Sequence, residues 1–404
     1  MYINIYHTEK NMSKYRTYSS LPLSGVHKAE AHIDLSALVH NYKKLCMYLE
    51  GQRAICVVKA DAYGHGAPEC AKALADAGCD FFAVSSIEEA LAIREIFPLG
   101  QSRVDIIILG YTFPRQAKLI ADNDIIQTVS SEQYARELNR YAAMSNCIVR
   151  THIALDTGMN RIGFCVHNER QINEAVSQIY DMQSLSGIKI EGMFTHFSDA
   201  DADFEKREKK TVRQYDRFEK VKSRLEKLGF DTGFCHVCNS AATVKFPDFH
   251  LDGVRLGIML YGALPSEYVE CELLPVMTFK SIISHIHLLP PGEEVSYGGE
   301  FSSSVERKIA TIPIGYADGF IRDLSGAELY IHTQSGVFPA PVVGRICMDQ
   351  CMIDITGIDA AEGDEVTVFG DDPDRLHALA CRAKTIEYEL LCLVSSRVPR
   401  IYKK

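Results

Sequence analysis

A chain of 404 residues, 47% apolar and 24% charged, is long enough for two globular domains and apolar enough for a substantial core. Its formal charge of −10 argues against nucleic acid or an anionic membrane as the main partner, because both reward clustered Lys and Arg. The thirteen cysteines are scattered singly, as at Cys46, Cys56, Cys70 and Cys79, which excludes a compact disulfide framework and fits a reducing, cytoplasmic setting.

Residues 1–29 are polar, rich in Tyr, Ser and Lys, and lack the apolar stretch of a secretory signal; they read as a flexible arm. From about residue 53 one pattern repeats. Short β-branched apolar runs (residues 54–59, 80–84, 105–109, 125–129, 149–155, 189–195, 233–237 and 251–255) alternate with helix-like stretches such as residues 68–77, 86–96, 131–141 and 203–228. Strands apolar on both faces, separated by helices, predict a parallel sheet covered on both sides. Eight units in this length predict a (β/α)8 barrel of the TIM type over residues 30–271. The doubly wound alternative wants a Gly-rich first turn of the G-x-G-x-x-G kind, which the sequence lacks. The basic piece Lys206-Arg207-Glu208-Lys209-Lys210 reads as a solvated helix face, and no apolar run is long enough for a membrane span. Beyond about residue 270 the texture changes. Alternating stretches at 278–288, 308–314, 328–332, 337–343, 350–355 and 365–369, punctuated by Gly, Asp and Pro, predict a mainly antiparallel β domain over 272–404. A helix over 373–391 and a final strand over 398–402 close it.

Function in such a barrel sits at the carboxyl ends of the strands. The first run ends at Lys59, followed by Ala60-Asp61-Ala62-Tyr63-Gly64-His65-Gly66. A lysine there is costly unless it reaches water or has a task, such as bonding to an aldehyde as a Schiff base. The fifth run leads into Asp156-Thr157-Gly158-Met159-Asn160-Arg161 and the sixth into Thr195-His196-Phe197. The seventh leads to Asn239-Ser240, and the eighth to Arg255-Leu256-Gly257-Ile258. The last two loops are the common phosphate site of these barrels. There the Ser240 hydroxyl and the backbone N–H groups of Gly257 and Ile258 can meet an anion. A phosphate near strand eight and an amine on strand one suit a phosphorylated aldehyde. Cys235 and Cys238, and Cys347 and Cys351, form C-x-x-C and C-x-x-x-C pairs. Zinc would need all four brought together by the fold; packing residues are the better reading, so no metal is expected.

Val58-Lys59-Ala60-Asp61-Ala62-Tyr63-Gly64-His65-Gly66 resembles the cofactor-lysine motif of alanine racemases. The likeness continues through 156–163, 195–197, 239–242, 255–262, 295–298, 314–319, 344–350 and 397–401. The resemblance implies a barrel joined to a β domain, pyridoxal 5'-phosphate as cofactor, a small amino acid as substrate, and a head-to-tail homodimer whose sites are shared between subunits. It implies interconversion of L- and D-alanine, the latter for peptidoglycan. Lys59 would hold the cofactor and act as one base. Tyr297, from the neighbouring subunit, would be the base on the opposite face of the α-carbon. A tyrosine titrates near pKa ~10, so that role needs a positive neighbourhood. Arg255 would face the pyridine nitrogen, oriented by His196; since an arginine stays protonated, the ring would withdraw electrons weakly and transamination would be disfavoured. Tyr63, Ser240, Gly257 and Ile258 would bind the phosphate, and Arg161 the cofactor hydroxyl and substrate carboxylate. Met348 and Asp349 would frame the substrate from the second subunit, and Tyr316 would line the entrance.

Two positions depart from the family pattern. Ala154 stands where many members carry a lysine, often carbamylated, leaving Arg161 without that negative partner; chloride, another carboxylate or nothing would fill the gap. Ser396 precedes Arg397-Val398-Pro399-Arg400, where the family usually has a tyrosine touching the cofactor phosphate. A small polar residue there resembles relatives that racemise serine, so a serine or alanine/serine racemase is the alternative. A related decarboxylase and a non-catalytic pyridoxal phosphate carrier are weaker readings. The Cys347 motif reads as racemase, and carriers resemble the barrel alone.

Overall fold

A computed structural model describes residues 27–101, 103–370 and 372–404; the side chains at 204–208 and 373 lie outside that description. Most of the expected N-terminal arm, residues 1–26, and most of the basic piece at 206–210 therefore fall outside the described residues. The chain divides into two compact units: Ser36–Leu274, and the residues up to Leu35 together with Pro275–Lys404.

The strands, in chain order, begin with β1 (Ala29–Asp34). The larger unit then holds β2 (Arg53–Val57), β3 (Phe81–Val84), β4 (Asp105–Ile108), β5 (Ile125–Val129) and β6 (Val149–Asp156). After the short β7 (Phe164–Cys165) come β8 (Ile188–Phe194), β9 (Phe234–His236) and β10 (Gly253–Leu256). Eight of them pair in parallel in the order β5-β4-β3-β2-β10-β9-β8-β6, and β5 pairs with β6 to close the barrel. Each expected apolar run is one of these strands. Ile55, Cys56, Phe82, Ile106 to Ile108 and Val254 are fully buried, as a sheet covered on both faces requires. Side-chain caps fix where the covering helices start. Ser86 accepts from the Glu89 N–H, Ser131 from Tyr134 and Asn168 from Gln171, each worth about 1 kcal/mol. At the amino ends of the strands Arg53 pairs with Asp80 and Asp105, and Arg150 with Asp105, Asp124 and Glu191. These pairs cross-link one end of the barrel and leave the other to the site.

The second unit holds β11 (Met277–Ile282), β12 (His285–Leu289), the hairpin β13–β14 (Glu294–Val295, Phe301–Ser302) and β15 (Arg307–Ile312). It continues with β16 (Glu328–Thr333), β17 (Gly336–Val343), β18 (Cys351–Asp354), β19 (Glu365–Phe369) and β20 (Arg400–Lys403). Nine of these strands, β1 included, form a sheet in the order β12-β15-β18-β17-β16-β19-β11-β1-β20, antiparallel except for β1 with β20.

Three expectations differ from what the structure holds. Ala29–Asp34, placed mostly in the barrel by the expected boundary at residue 30, pairs with β11 and β20 and belongs to the β unit. The alternating stretch 278–288 is two strands at separated places in the sheet. The helix expected over 373–391 is two, Pro373–Arg382 and Glu387–Leu393. Lys384 turns left-handed at φ 54°, and the Thr385 N–H donates to the Ala380 carbonyl, a helix-ending pattern that usually uses Gly and so leaves no trace in Ala383-Lys384-Thr385.

Candidate active site

The carboxyl end of β2 carries an unusual backbone. Ala60, Asp61, Ala62 and Tyr63 all have φ between 52° and 55°, one left-handed turn without a glycine. Such a turn costs about 1–2 kcal/mol per residue, so its neighbours must impose it. The Ala62 N–H donates to the Val58 carbonyl at 2.9 Å, and the Gly64 and Gly66 N–H groups donate to the Ala60 and Asp61 carbonyls. Glu89, in the helix after β3, accepts from the Ala60 N–H at 2.7 Å with one oxygen and from the Ser85 N–H at 2.7 Å with the other. Asp61 accepts from the Ala67 N–H. The turn sets half-buried Lys59 at the strand end and returns Tyr63 to the barrel, where its ring lies 5.0 Å from that of Tyr261.

Tyr63 meets the loops after β9 and β10. A Cβ on Gly257 would stand 3.0 Å from the Tyr63 hydroxyl and 3.6 Å from the Ser240 hydroxyl. The Gly257 N–H donates to Ser240 Oγ at 2.7 Å. Asn239 caps the short turn that begins at Ser240, accepting from the Ala242 N–H. Two hydroxyls and the backbone at 257–258 thus line a hollow that only a glycine leaves open.

Arg255 is buried near the end of β10, with no carboxylate partner among the described residues. Its Nη1 donates to His236 Nδ1 at 2.8 Å and to the His236 carbonyl at 2.7 Å; Nη2 donates to the Thr195 and Val237 carbonyls at 2.7 and 3.0 Å. Burial, with the Arg161 charge adding to it, brings this guanidinium down to about 10. His196 Nδ1 is 3.4 Å from Nη2, so His236 is the nearer histidine partner of Arg255. Nothing local in the sequence marks His236 for this contact, because its partner Arg255 lies 19 residues further on. Burial first, then the charges of Arg255, Arg161 and Lys59, hold His196 well below the usual histidine range. Those three cations therefore share one neighbourhood at the barrel mouth. Arg161 is exposed at the end of a loop shaped by Asp156, whose carboxylate accepts from the Gly158 and Asn160 N–H groups. Ala154 is buried on β6, and no ion pair or hydrogen bond engages Arg161 among the described residues.

The β unit assembles its own group of expected residues. Ser296 donates to the Arg345 carbonyl at 2.7 Å and lies 3.4 Å from the Cys347 sulfur, which pins the loop carrying Tyr297. A Cβ on Gly298 would meet the Arg345 guanidinium at 2.9 Å. The Tyr316 N–H donates to the Cys347 carbonyl, and the Ala317 N–H to that of Met348. Arg397, next to exposed Ser396, binds Asp349 at 2.7 Å and approaches buried Asp318. Tyr297 is 72% exposed, Met348 53% and Tyr316 42%, a large apolar surface for one chain to leave open. Cys235, Cys238 and Cys351 are buried free thiols, and no group of three or more potential metal ligands occurs among the described residues.

A closed parallel barrel with a lysine at the end of one strand and a buried arginine at the end of another defines a (β/α)8 protein. The sequence matches the family description "Alanine racemase, N-terminal domain" over residues 33–265 and "Alanine racemase, C-terminal domain" over residues 276–402. The alanine racemase of Clostridium tetani is 41% identical over 381 residues, covering 92% of this chain and 94% of that protein. The solved alanine racemase of Clostridium difficile 630 superposes with a TM-score of 0.85 at 37% identity, over 94% of this chain and 96% of its own. That of Bartonella henselae with covalently bound pyridoxal phosphate gives 0.82 at 28% identity, over 94% and 100%. The chain belongs to the alanine racemase family.

Proposed function

We propose that this protein is a pyridoxal 5'-phosphate-dependent alanine racemase with Lys59 and Tyr297 as its two bases. The observation that carries the reading is the mouth of the barrel: an amine at a strand end, the Tyr63 and Ser240 hydroxyls beside Gly257, and a buried arginine with no acidic partner among the described residues. The residues present fit the cofactor. Tyr63, Ser240, Gly257 and Ile258 would hold its phosphate, since a Cβ at 257 would fill the hollow. Arg255 would face the ring nitrogen as a donor; an arginine has no acceptor to offer, so it leaves that nitrogen without a full proton. When bound, pyridoxal phosphate draws electron density from the substrate α-carbon and so acidifies its C–H bond.

The chain's own residues do the rest. Lys59 would hold the cofactor and, as a base, would take or return the α-proton on one face. Tyr297 does the same on the opposite face, so neither base need cross the ring plane. Arg161 binds the substrate carboxylate, Met348 and Asp349 bound the space for its side chain, and Tyr316 narrows the approach. His196, kept uncharged first by burial and then by its cationic neighbours, adds no further positive charge beside Arg255. The exposure of Tyr297, Tyr316 and Met348 supports a homodimer in which each barrel mouth receives these residues from the partner copy. Among the described residues no helix is long and apolar enough to cross a membrane. With thirteen free thiols, the reading includes a cytoplasmic enzyme.

Chiral analysis of the purified holoenzyme with L-alanine tests the activity. The expected outcome is racemic alanine; optically pure alanine after long incubation contradicts the reading. Ser396, exposed where relatives carry a tyrosine, favours a second activity on serine. Ser396→Tyr should lower serine turnover relative to alanine by about tenfold or more, the scale of a pocket contact of ~1–3 kcal/mol. An unchanged ratio of the two kcat/KM values removes the serine reading.

A further inference from the structure

Behind Arg255 a second histidine extends the contact away from the site. His236 is fully buried, and its Nε2 lies 3.0 Å from Nδ1 of His152, itself 2% exposed on β6. Arginine only donates. Arg255 Nη1 therefore fixes His236 Nδ1 as an acceptor, and the one proton of neutral His236 sits on Nε2. That N–H points at His152 Nδ1, which must accept it. The chain runs one way: Arg255 to His236 to His152.

The fold takes trouble to place His152 there. The pairing of β6 with β8 slips one residue between Thr151 and His152, so that Thr151 faces Ile190 and His152 faces Gly192. Glu191 is the extra residue, and such a bulge re-aims the side chains beside it. A Cβ on Gly192 would stand 2.7 Å from His152 Cε1 and 2.8 Å from its Nε2, so the glycine keeps the place of the ring. Phe194 stacks on His236 at 5.0 Å and 11°, holding the second ring flat.

We infer that His152 is a positioning residue for the cofactor ring: by accepting the His236 proton it locks the tautomer that receives Arg255. The inference rests on the proposed cofactor site. Neutrality of both rings agrees with it. Burial lowers His152 to about 4, with Glu191 and Asp105 opposing and Arg150 assisting. Burial and then Arg255 and His152 lower His236 well below the usual range. At the mouth the ionisable groups around Arg255 are Arg161, Cys238 and uncharged, half-buried His196, with Lys59 acting on His196. Without His152 the His236 N–H is stranded in the core, its Nδ1 becomes a poorer acceptor, and the guanidinium loses the contact that aims it.

The test compares wild type with His152→Leu, which removes the acceptor, and His152→Asn, whose Oδ1 can stand near the old Nδ1. The readouts are the pH midpoint of the visible absorption band of the holoenzyme, the histidine 15N tautomer signals, and Tm. The expected result is a shift of the midpoint by about one pH unit and an altered His236 signal in His152→Leu, with both restored in His152→Asn. Equal loss of Tm in the two variants with midpoint and tautomer unchanged overturns the inference. If His152→Leu does not fold, His152→Gln, whose acceptor sits one bond further out, replaces it: Gln shifted and Asn normal supports the inference, and Gln equal to Asn overturns it. A wild type with no visible band but the predicted His236 tautomer refutes the cofactor reading, and with it this role, while leaving the hydrogen-bond chain intact.

Discussion

Gly257 shows how a single missing side chain defines a site. Its N–H reaches Ser240 Oγ at 2.7 Å, and the space where a Cβ would stand is bounded by two hydroxyls. Gly257→Ala should weaken pyridoxal phosphate binding by about tenfold or more, a loss of ~1.4 kcal/mol, while the apoenzyme keeps its Tm. Cofactor titration followed by absorption measures the first and calorimetry the second; unchanged affinity would place the phosphate elsewhere. Lys59, Tyr63, Ser240 and Gly257 were legible in the sequence because local motifs carry them at the ends of recognisable strands. His236 and His152 were not, because their partnership joins residues 84 apart and depends on a bulge. A buried histidine looks the same in a sequence whether it packs or accepts a proton.

At the scale of elements, the turn after β2 holds Lys59, the proposed cofactor lysine, and Glu89 helps to hold the turn. Removing its carboxylate in Glu89→Ala leaves the exposed Ala60 and Ser85 N–H groups to water and should cost about 1 kcal/mol. Denaturant unfolding should show the loss, together with weaker cofactor binding. Full stability would mean that the left-handed residues support themselves. The eight barrel strands were readable because each is a short, mostly apolar run, and four of the helices that follow them start at a Ser or Asn cap, namely Ser86, Ser131, Asn168 and Asn239. The left-handed turn was not: Ala60-Asp61-Ala62-Tyr63 contains nothing that forbids a right-handed helix, and tertiary contacts such as that with distant Glu89 decide. β1 was hidden for the same reason, since its partners β11 and β20 are about 250 and 370 residues away in sequence.

Across the molecule, three histidines held uncharged (His152, His196 and His236) make the fold sensitive to acid. Each has a folded pKa below the unfolded value near 6.5, so the unfolded chain binds more protons as the pH falls. Stability should therefore be full above about pH 6.5 and decline below it, for His152 down to about 4, by about 1.4 kcal/mol per pH unit for each histidine. Tm measured from pH 7 to 5 should fall, and the fall should be shallower in His152→Asn; a flat profile would mean that these rings accept protons in place. The division into a barrel and a β unit was legible from the change of texture near residue 270. The proposed homodimer turns on which copy supplies Tyr297, a residue 72% exposed in one chain.

That question gives the most direct measurement. Lys59→Ala and Tyr297→Phe proteins, each purified alone, should leave L-alanine unracemised. Mixed under conditions that exchange subunits, they should regain racemisation, because every hybrid dimer rebuilds one site from an intact lysine and an intact tyrosine. No recovered activity in verified hybrids, or substantial racemisation by either parent alone, would contradict a mechanism of two bases lent by two subunits.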